Sequence, residues 1–158
     1  DSLLAKLLEM NVDMDISIDK VTVRGGRKLK GVDAKTLPYP GLATDLQAPL
    51  TTLMTQAYGT SSITETIYPQ RFKHCDMLNA LGADIDVRIP QAVIHGPTRL
   101  TGYDVTATDL RCGASLVVAG LIAEGITTIH EVYHIDRGYE AIETPLQTLG
   151  AAIKRISS

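Results

Sequence analysis

The chain has 158 residues, 44% of them hydrophobic and 21% charged, with a net charge of −3. That is enough for one domain with a core, in the balance of a globular protein. An acidic chain with no Trp, one Phe and six Tyr offers neither a basic field nor a stacking surface for nucleic acid, and no apolar run approaches the ~18 residues that span a bilayer, so neither nucleic acid nor membrane is expected as a partner.

The chain opens on "DSLLAKLLEM", with no initiator Met and no signal-peptide layout. Starting inside a helical pattern, it is expected to be a fragment. A helix is predicted over 46–59, stopped by Gly59, with Thr44 or Asp45 suited to its N-cap and Pro49 blurring its start. The alternating, β-branched 61–68 predicts a strand. Residues 71–82 predict a second helix, stopped by Gly82, and 83–89 and 92–96 predict two strands joined at Pro90-Gln91. A helix over 108–125 is apolar almost all round, which predicts a buried helix and hence helices inside with sheets outside. The end of the chain reads as a strand (126–133), a helix (139–150) and a strand (151–156). Cys75 and Cys112 lack metal-type spacing and are expected as small buried apolar residues in a reducing cytoplasm. His74, His95, His130 and His134 suggest no metal site, and surface or strand-end positions are expected.

These elements recur. Positions 10–34 laid on 81–105 put "MNVDMDI" on "LGADIDV", Gly31 on Gly102 and Asp33 on Asp104. "TDLQA" from Thr44 falls on "TDLRC" from Thr108, Arg71 falls on Arg137, and "LGADI" falls on "LGAAI". The unit is roughly 65–70 residues, longer than the ~20–50 of a solenoid repeat. The predicted organisation is a single domain of repeated α+β units: 1–34 the tail of one, 35–105 a second, 106–158 a third. Each full copy sets an Asp at a helix N-terminus and an Arg past a strand end: Asp45 with Arg71, and Asp109 with Arg137. Arg111 follows Asp109 within the first helical turn. A helix N-terminus favours an Asp and equally a bound phosphate or carboxylate, and guanidinium forks match both anions. The simpler alternative is that each Asp is a cap and each Arg a surface ion pair.

The stretches "YPGLATDLQA", "ITETIYPQRFKH", "TATDLRCGASLVVAGLIAEG" and "YHIDRGYEAIE" with "LGAAIKRI", in this order, resemble the UDP-N-acetylglucosamine 1-carboxyvinyltransferase family of enolpyruvyl transferases. The resemblance runs through essentially the whole chain. It implies an α/β fold: an inside-out α/β barrel of repeated units with buried helices and outer sheets, here most of the C-terminal catalytic half of a chain more than twice as long. It implies transfer of the enolpyruvyl group of phosphoenolpyruvate to the 3′-hydroxyl of UDP-N-acetylglucosamine, through a tetrahedral intermediate with loss of phosphate, at the start of peptidoglycan synthesis in the cytoplasm. No metal or organic cofactor is implied. By the resemblance Asp45 is the general base at the sugar hydroxyl, Ile67 contacts the nucleotide sugar, Arg71 holds Asp45 ionised, and Arg111 and Arg137 line the phosphoenolpyruvate site. The implied partners are the two substrates and the missing N-terminal half, which would carry a Lys-Asn pair, further Arg residues and a proton-donor Cys. Cys75 and Cys112 do not match that Cys. Two other readings remain: an enzyme of the same scaffold acting on shikimate 3-phosphate, and a non-catalytic interaction domain, against which the joint presence of Asp45, Arg71, Arg111 and Arg137 argues.

Overall fold

The computed structural model describes residues 2–156; Asp1, Ser157 and Ser158, the outer limits of the first and last predicted units, lie outside the described residues. Three helices end in the same way. Helix α1 (Ser2–Glu9) hands over to Asn11 in the left-handed region, whose N–H reaches Leu8 O while Val12 N–H reaches Leu7 O. Helices α3 (Lys73–Ala80) and α6 (Glu143–Thr148) repeat this at Gly82 and Gly150, with φ of 103° and 95°. There Gly82 and Gly150 N–H bond Asn79 O and Gln147 O, and the next residues bond Leu78 O and Leu146 O. Each pair of bonds satisfies carbonyls that the helix end leaves open, and glycine reaches that conformation without a Cβ penalty.

After two of these ends comes an antiparallel hairpin. Strands β1 (Asp13–Ile16) and β2 (Val21–Arg24) pair through Asp13↔Arg24; β5 (Asp84–Arg88) and β6 (Gln91–Gly96) pair through Asp84↔His95. After the third, residues 151–156, predicted as a strand, are irregular. A strand needs a ladder partner, and no described strand runs beside them. Arg155 holds this segment by two bonds to Asp136, of 2.9 and 2.7 Å, and two to Glu143, of 2.7 and 3.0 Å.

Two parallel pairs also recur. Strand β3 (Asp33–Lys35) runs beside β4 (Gly59–Thr64), and β7 (Asp104–Thr106) beside β8 (Thr128–His130). Each parallel pair needs a crossover, and a helix supplies it: α2 (Gln47–Met54) in the first and α4 (Leu110–Ile122) in the second. The larger sheet has the order β3-β4-β6-β5. Helices α2, α3 and α4 pack on one another against its inner face, around Met54, Ile63, Leu78, Leu81, Ile94 and Leu116, all fully buried. Each such side chain contributes about 1.5–3 kcal/mol of burial. The helices are therefore the inner layer and the sheets the outer one.

Several elements differ from their predicted extents. Helix α2 stops at Met54 instead of reaching Gly59, which opens β4 at φ 97°. The hydroxyls of Thr51 and Thr55 bond back to Gln47 O and Thr52 O, a local alternative to continuing the helix. Strand β4 ends at Thr64, short of the predicted Tyr68. The predicted strand over 126–133 shrinks to β8, because Glu131 takes a positive φ of 58° and a short helix α5 (Tyr133–Asp136) follows. Helix α4 is not buried all round: Cys112 to Val117 are buried, but Val118, Leu121 and Ile122 are 36%, 45% and 46% exposed.

Candidate active site

The tripeptide Thr-Asp-Leu occurs twice, and the backbone treats it differently each time. In the second copy Asp109 is extended and caps α4, its Oδ1 accepting from Arg111 N at 2.9 Å and Cys112 N at 3.2 Å. Burial pushes its carboxyl up. The N–H groups of Cys112 and Arg111, the Thr108 hydroxyl and the Arg111 charge outweigh that and hold it below the usual carboxylate range. In the first copy Thr44–Leu46 forms a 3₁₀ turn, and the residue that caps α2 is Leu46, which has no side-chain acceptor. Neither Thr44 nor Asp45 is the N-cap that the sequence suggested.

The Asp45 carboxylate is thereby left for side chains. Its Oδ1 accepts from Arg111 Nε at 2.5 Å and from Arg71 Nη1 at 3.4 Å. Asp45 is 65% exposed while the two arginines are 27% and 31% exposed, so the guanidinium groups are walls and the carboxylate stands at the opening. Pairs this exposed are worth about 0–1 kcal/mol in stability. Their effect is on placement: a carboxylate held beside two fixed guanidinium groups can accept a proton from a hydroxyl, and the cations can bind an anion alongside.

Behind this pair lies a buried carboxylate. Glu65, at the end of β4, is fully buried. Its Oε1 accepts from the Thr36 hydroxyl at 2.8 Å, Ile67 N at 2.8 Å and Tyr68 N at 3.0 Å, and its Oε2 from the Thr44 hydroxyl at 2.8 Å. Burial alone would raise this group. The bonds from Tyr68 N–H, Thr36, Thr44 and Ile67 N–H reverse that and hold it ionised, below its ordinary value. The Thr44 oxygen in turn accepts from Arg71 Nη1 at 3.1 Å, and the Arg71 guanidinium lies 3.7 Å over the Tyr68 ring.

A cavity of about 310 Å³ opens beside the arginines, where the first turns of α2, α3 and α4 meet, with Gln47, Arg71, Lys73, His74, Asp109 and Arg111 among its lining. Gln47 is 1% exposed and its amide nitrogen has no hydrogen-bond partner among the described residues. His74 is buried, against the expectation of a surface position. Burial depresses it to about 4, with Asp109 pulling the other way. Burial likewise pushes the Cys75 thiol up to about 12 and raises Cys112, so both cysteines are packing residues. Among the described residues no group of three or more His, Cys, Asp or Glu could hold a metal ion.

Of the residues singled out in the sequence, the fold brings Asp45, Arg71 and Arg111 together, and Glu65 ties the backbone of half-buried Ile67 to the same cluster. Arg137 stands apart. It is exposed at the end of α5, where Gly138 lies against the Leu110 side chain and so sets α5 over the first turn of α4. Its neighbour Asp136 is engaged by Arg155. Sequence reading missed Glu65 and Tyr68 and gave Thr44 only as a possible cap. For Glu65 a signal existed: in the strand 61–68 it shares the parity of Ser61 and Ile63, the buried face, where a lone acid needs several donors.

The profile of the EPSP synthase (3-phosphoshikimate 1-carboxyvinyltransferase) family matches residues 1–146. UDP-N-acetylglucosamine 1-carboxyvinyltransferase 2 of Bacillus cereus is 53% identical over 155 residues, which cover 98% of this chain and 36% of that protein. The protein of the same name from Listeria monocytogenes is 52% identical over 158 residues, 100% of this chain and 37% of that one. The chain thus spans little more than a third of the length of the curated relatives it matches. Among solved structures, the enolpyruvyl transferase NikO from Streptomyces tendae superposes with a TM-score of 0.92 at 31% identity, over 99% of this chain and 36% of that one. An EPSP synthase from Acinetobacter baumannii superposes at 0.63 with 17% identity, over 81% of this chain and 31% of that one, a likeness of fold alone.

Proposed function

The chain belongs to the EPSP synthase (3-phosphoshikimate 1-carboxyvinyltransferase) family, and on that premise we propose that it supplies the Asp45 side of an active site that transfers the enolpyruvyl group of phosphoenolpyruvate to the 3′-hydroxyl of UDP-N-acetylglucosamine. In this reading it is part of one half of a longer enzyme: residues 1–34, 35–105 and 106–158 are the tail, second and third units of that half, and the partner is the rest of the same protein. The choice of the nucleotide sugar over shikimate 3-phosphate is supported by relatives about half identical that carry the name of that activity.

The observation that carries the proposal is the meeting of Arg71 and Arg111 on Asp45 Oδ1, the latter across 66 residues of sequence. Asp45 takes the proton of the 3′-hydroxyl as its oxygen bonds to C2 of phosphoenolpyruvate, while C3 gains a proton from a group outside this chain. The tetrahedral intermediate then loses a proton from C3, the C2–O bond to phosphorus-bearing oxygen breaks, and inorganic phosphate leaves with an enol ether formed. Arg111, with Arg137 beyond it at the end of α5, faces the phosphoenolpyruvate anion. Ile67 packs against the nucleotide sugar. With two buried, unmodified cysteines, the cytoplasm is the fitting compartment.

The test is phosphate release from phosphoenolpyruvate, dependent on UDP-N-acetylglucosamine, by the intact enzyme that carries this segment. The 158-residue chain alone is expected to release none, because proton delivery to C3 has no group in it. UDP-N-acetylglucosamine should raise the unfolding temperature of the intact enzyme and shikimate 3-phosphate should not. The reverse pattern would replace this reading with the shikimate one.

A further inference from the structure

We propose that Glu65 is a positioning residue for Asp45: through the Thr44 hydroxyl it fixes where Arg71 meets the Asp45 carboxylate, and through two backbone amides it fixes the turn that carries Ile67. The inference rests on the reading of Asp45 as the base.

The hydrogen bonds have one consistent polarity. An ionised carboxylate only accepts, so the Thr44 proton must point at Glu65 Oε2. That leaves the Thr44 lone pairs turned outward, and an arginine only donates, so Arg71 Nη1 is the group they take, at 3.1 Å. The same Nη1 reaches Asp45 Oδ1. A buried acceptor, a hydroxyl and a guanidinium thus form a chain with no alternative orientation, ending on the carboxylate at the mouth. Glu65 also ties the entry to α2 to the ends of the paired strands β3 and β4. Thr36 follows β3, Thr44 enters α2, and Ile67 and Tyr68 follow β4. The loop from 37 to 43 between the first two has no regular structure; among the described residues it is held by the bonds Leu37 N–H to Leu42 O and Gly41 N–H to Pro38 O and by the Ser2 hydroxyl on Gly41 O. Without the acid, the loop's two ends lose their common anchor. Arg71 is held on its other face by Tyr68, whose own N–H the same acid binds, so both surfaces that orient Arg71 trace to Glu65.

The hydroxyl gives a test that spares the buried acid. In the intact enzyme, Thr44→Val keeps shape and removes the relay; kcat is expected to fall ~10-fold or more from misplacement of the base, with KM for the nucleotide sugar within ~3-fold, and Thr44→Ser should recover most of the loss. A Thr44→Val enzyme within twofold of the parent kcat, or a Thr44→Ser enzyme as impaired as the Val variant, would overturn the proposal. Glu65→Gln, which keeps one accepting oxygen and turns the other into a donor, should act in the same direction and serves if the Val variant does not fold. Crystal structures of the variants read the positioning without any reaction: Arg71 should leave Asp45 in Thr44→Val and stay in Thr44→Ser. If the parent enzyme does not turn over the two substrates, the proposed function fails, and this second readout still decides the role of Glu65: an unmoved Arg71–Asp45 contact in Thr44→Val sinks it.

Discussion

Thr44-Asp45-Leu46 and Thr108-Asp109-Leu110 are one tripeptide at one kind of junction, yet the second carboxylate closes a helix and the first does not. Asp109 is extended and gives its Oδ1 to two backbone amides. Asp45 lies inside a 3₁₀ turn, one residue before the cap position of α2 that Leu46 fills, and its Oδ1 accepts from two guanidinium groups. A duplicated signature therefore fixes where a residue sits in the fold but not what its side chain does. The backbone of the loop before it decides that: the loop that enters Asp45 is anchored by buried Glu65, whose counterpart in the second copy, Glu131, is exposed and makes no such side-chain bonds among the described residues.

The largest expected effect separates the two acids by chemistry. Asp45→Asn in the intact enzyme should lower turnover at least ~10²-fold while the unfolding midpoint stays within ~0.5 kcal/mol, since no amide depends on it. Near-normal turnover would make Asp45 a surface ion pair and erase the distinction.

Next comes pH, which reads the second copy through stability. His74, close to Asp109, has a folded value of about 4 against an ordinary 6.5. Between the two the unfolded chain binds the extra proton, so stability is full above about 6.5 and falls as the pH drops toward 4, by about 3 kcal/mol. Glu65 and Asp109 have depressed folded values, so each adds its own loss as the pH falls through and below the ordinary carboxylate range. Denaturant midpoints from pH 8 to pH 4 measure the first window, and His74→Gln should flatten it. A slope that survives in that variant would assign the window to another group.

Smaller effects sharpen the contrast. Asp109→Ala should destabilise by about 1–2 kcal/mol through the lost cap, against less than ~0.5 kcal/mol for Asp45→Ala; equal losses in denaturant melts would mean that Asp45 also holds a helix. Arg137→Lys keeps the charge without the fork. It should raise KM for phosphoenolpyruvate by up to about tenfold, leaving that for the nucleotide sugar nearly unchanged. A matching loss of both would place Arg137 in the framework, although its neighbour Asp136 is engaged by Arg155.

What was legible in the sequence follows the range of the forces involved. The stops at Gly82 and Gly150 and the cap at Asp109 are local, formed within a few residues, and they fall where sequence puts them. So does the hairpin around Pro90. Gly59 misled because a left-handed glycine serves the start of a strand as well as the end of a helix. The strand expected at 151–156 failed because pairing is non-local and needs a neighbour. Asp45, Arg71 and Arg111 could be named from sequence, the first two by spacing and all three by resemblance, but the sharing of one oxygen by both arginines is a tertiary fact. Glu65 was hidden for a related reason: an acid inside a β-branched run looks like the solvent side of a strand until the parity of its neighbours is checked.

The contact from Arg111 to Asp45 joins the two copies. At the position where one copy has Arg111, the other has Gln47, which is buried and turned to the cavity's edge. Two identical copies would each own an acid and a cation, and a duplicated ancestor could have carried two equivalent half-centres. Divergence at this single register gives the second copy an arginine where the first has Gln47, so the contact from Arg111 to Asp45 has no counterpart from Gln47 to Asp109 among the described residues. Two examples of the first copy would leave Asp45 with Arg71 but without Arg111, and two examples of the second would leave Arg111 beside an Asp that caps a helix. The symmetry of the scaffold is broken at that residue.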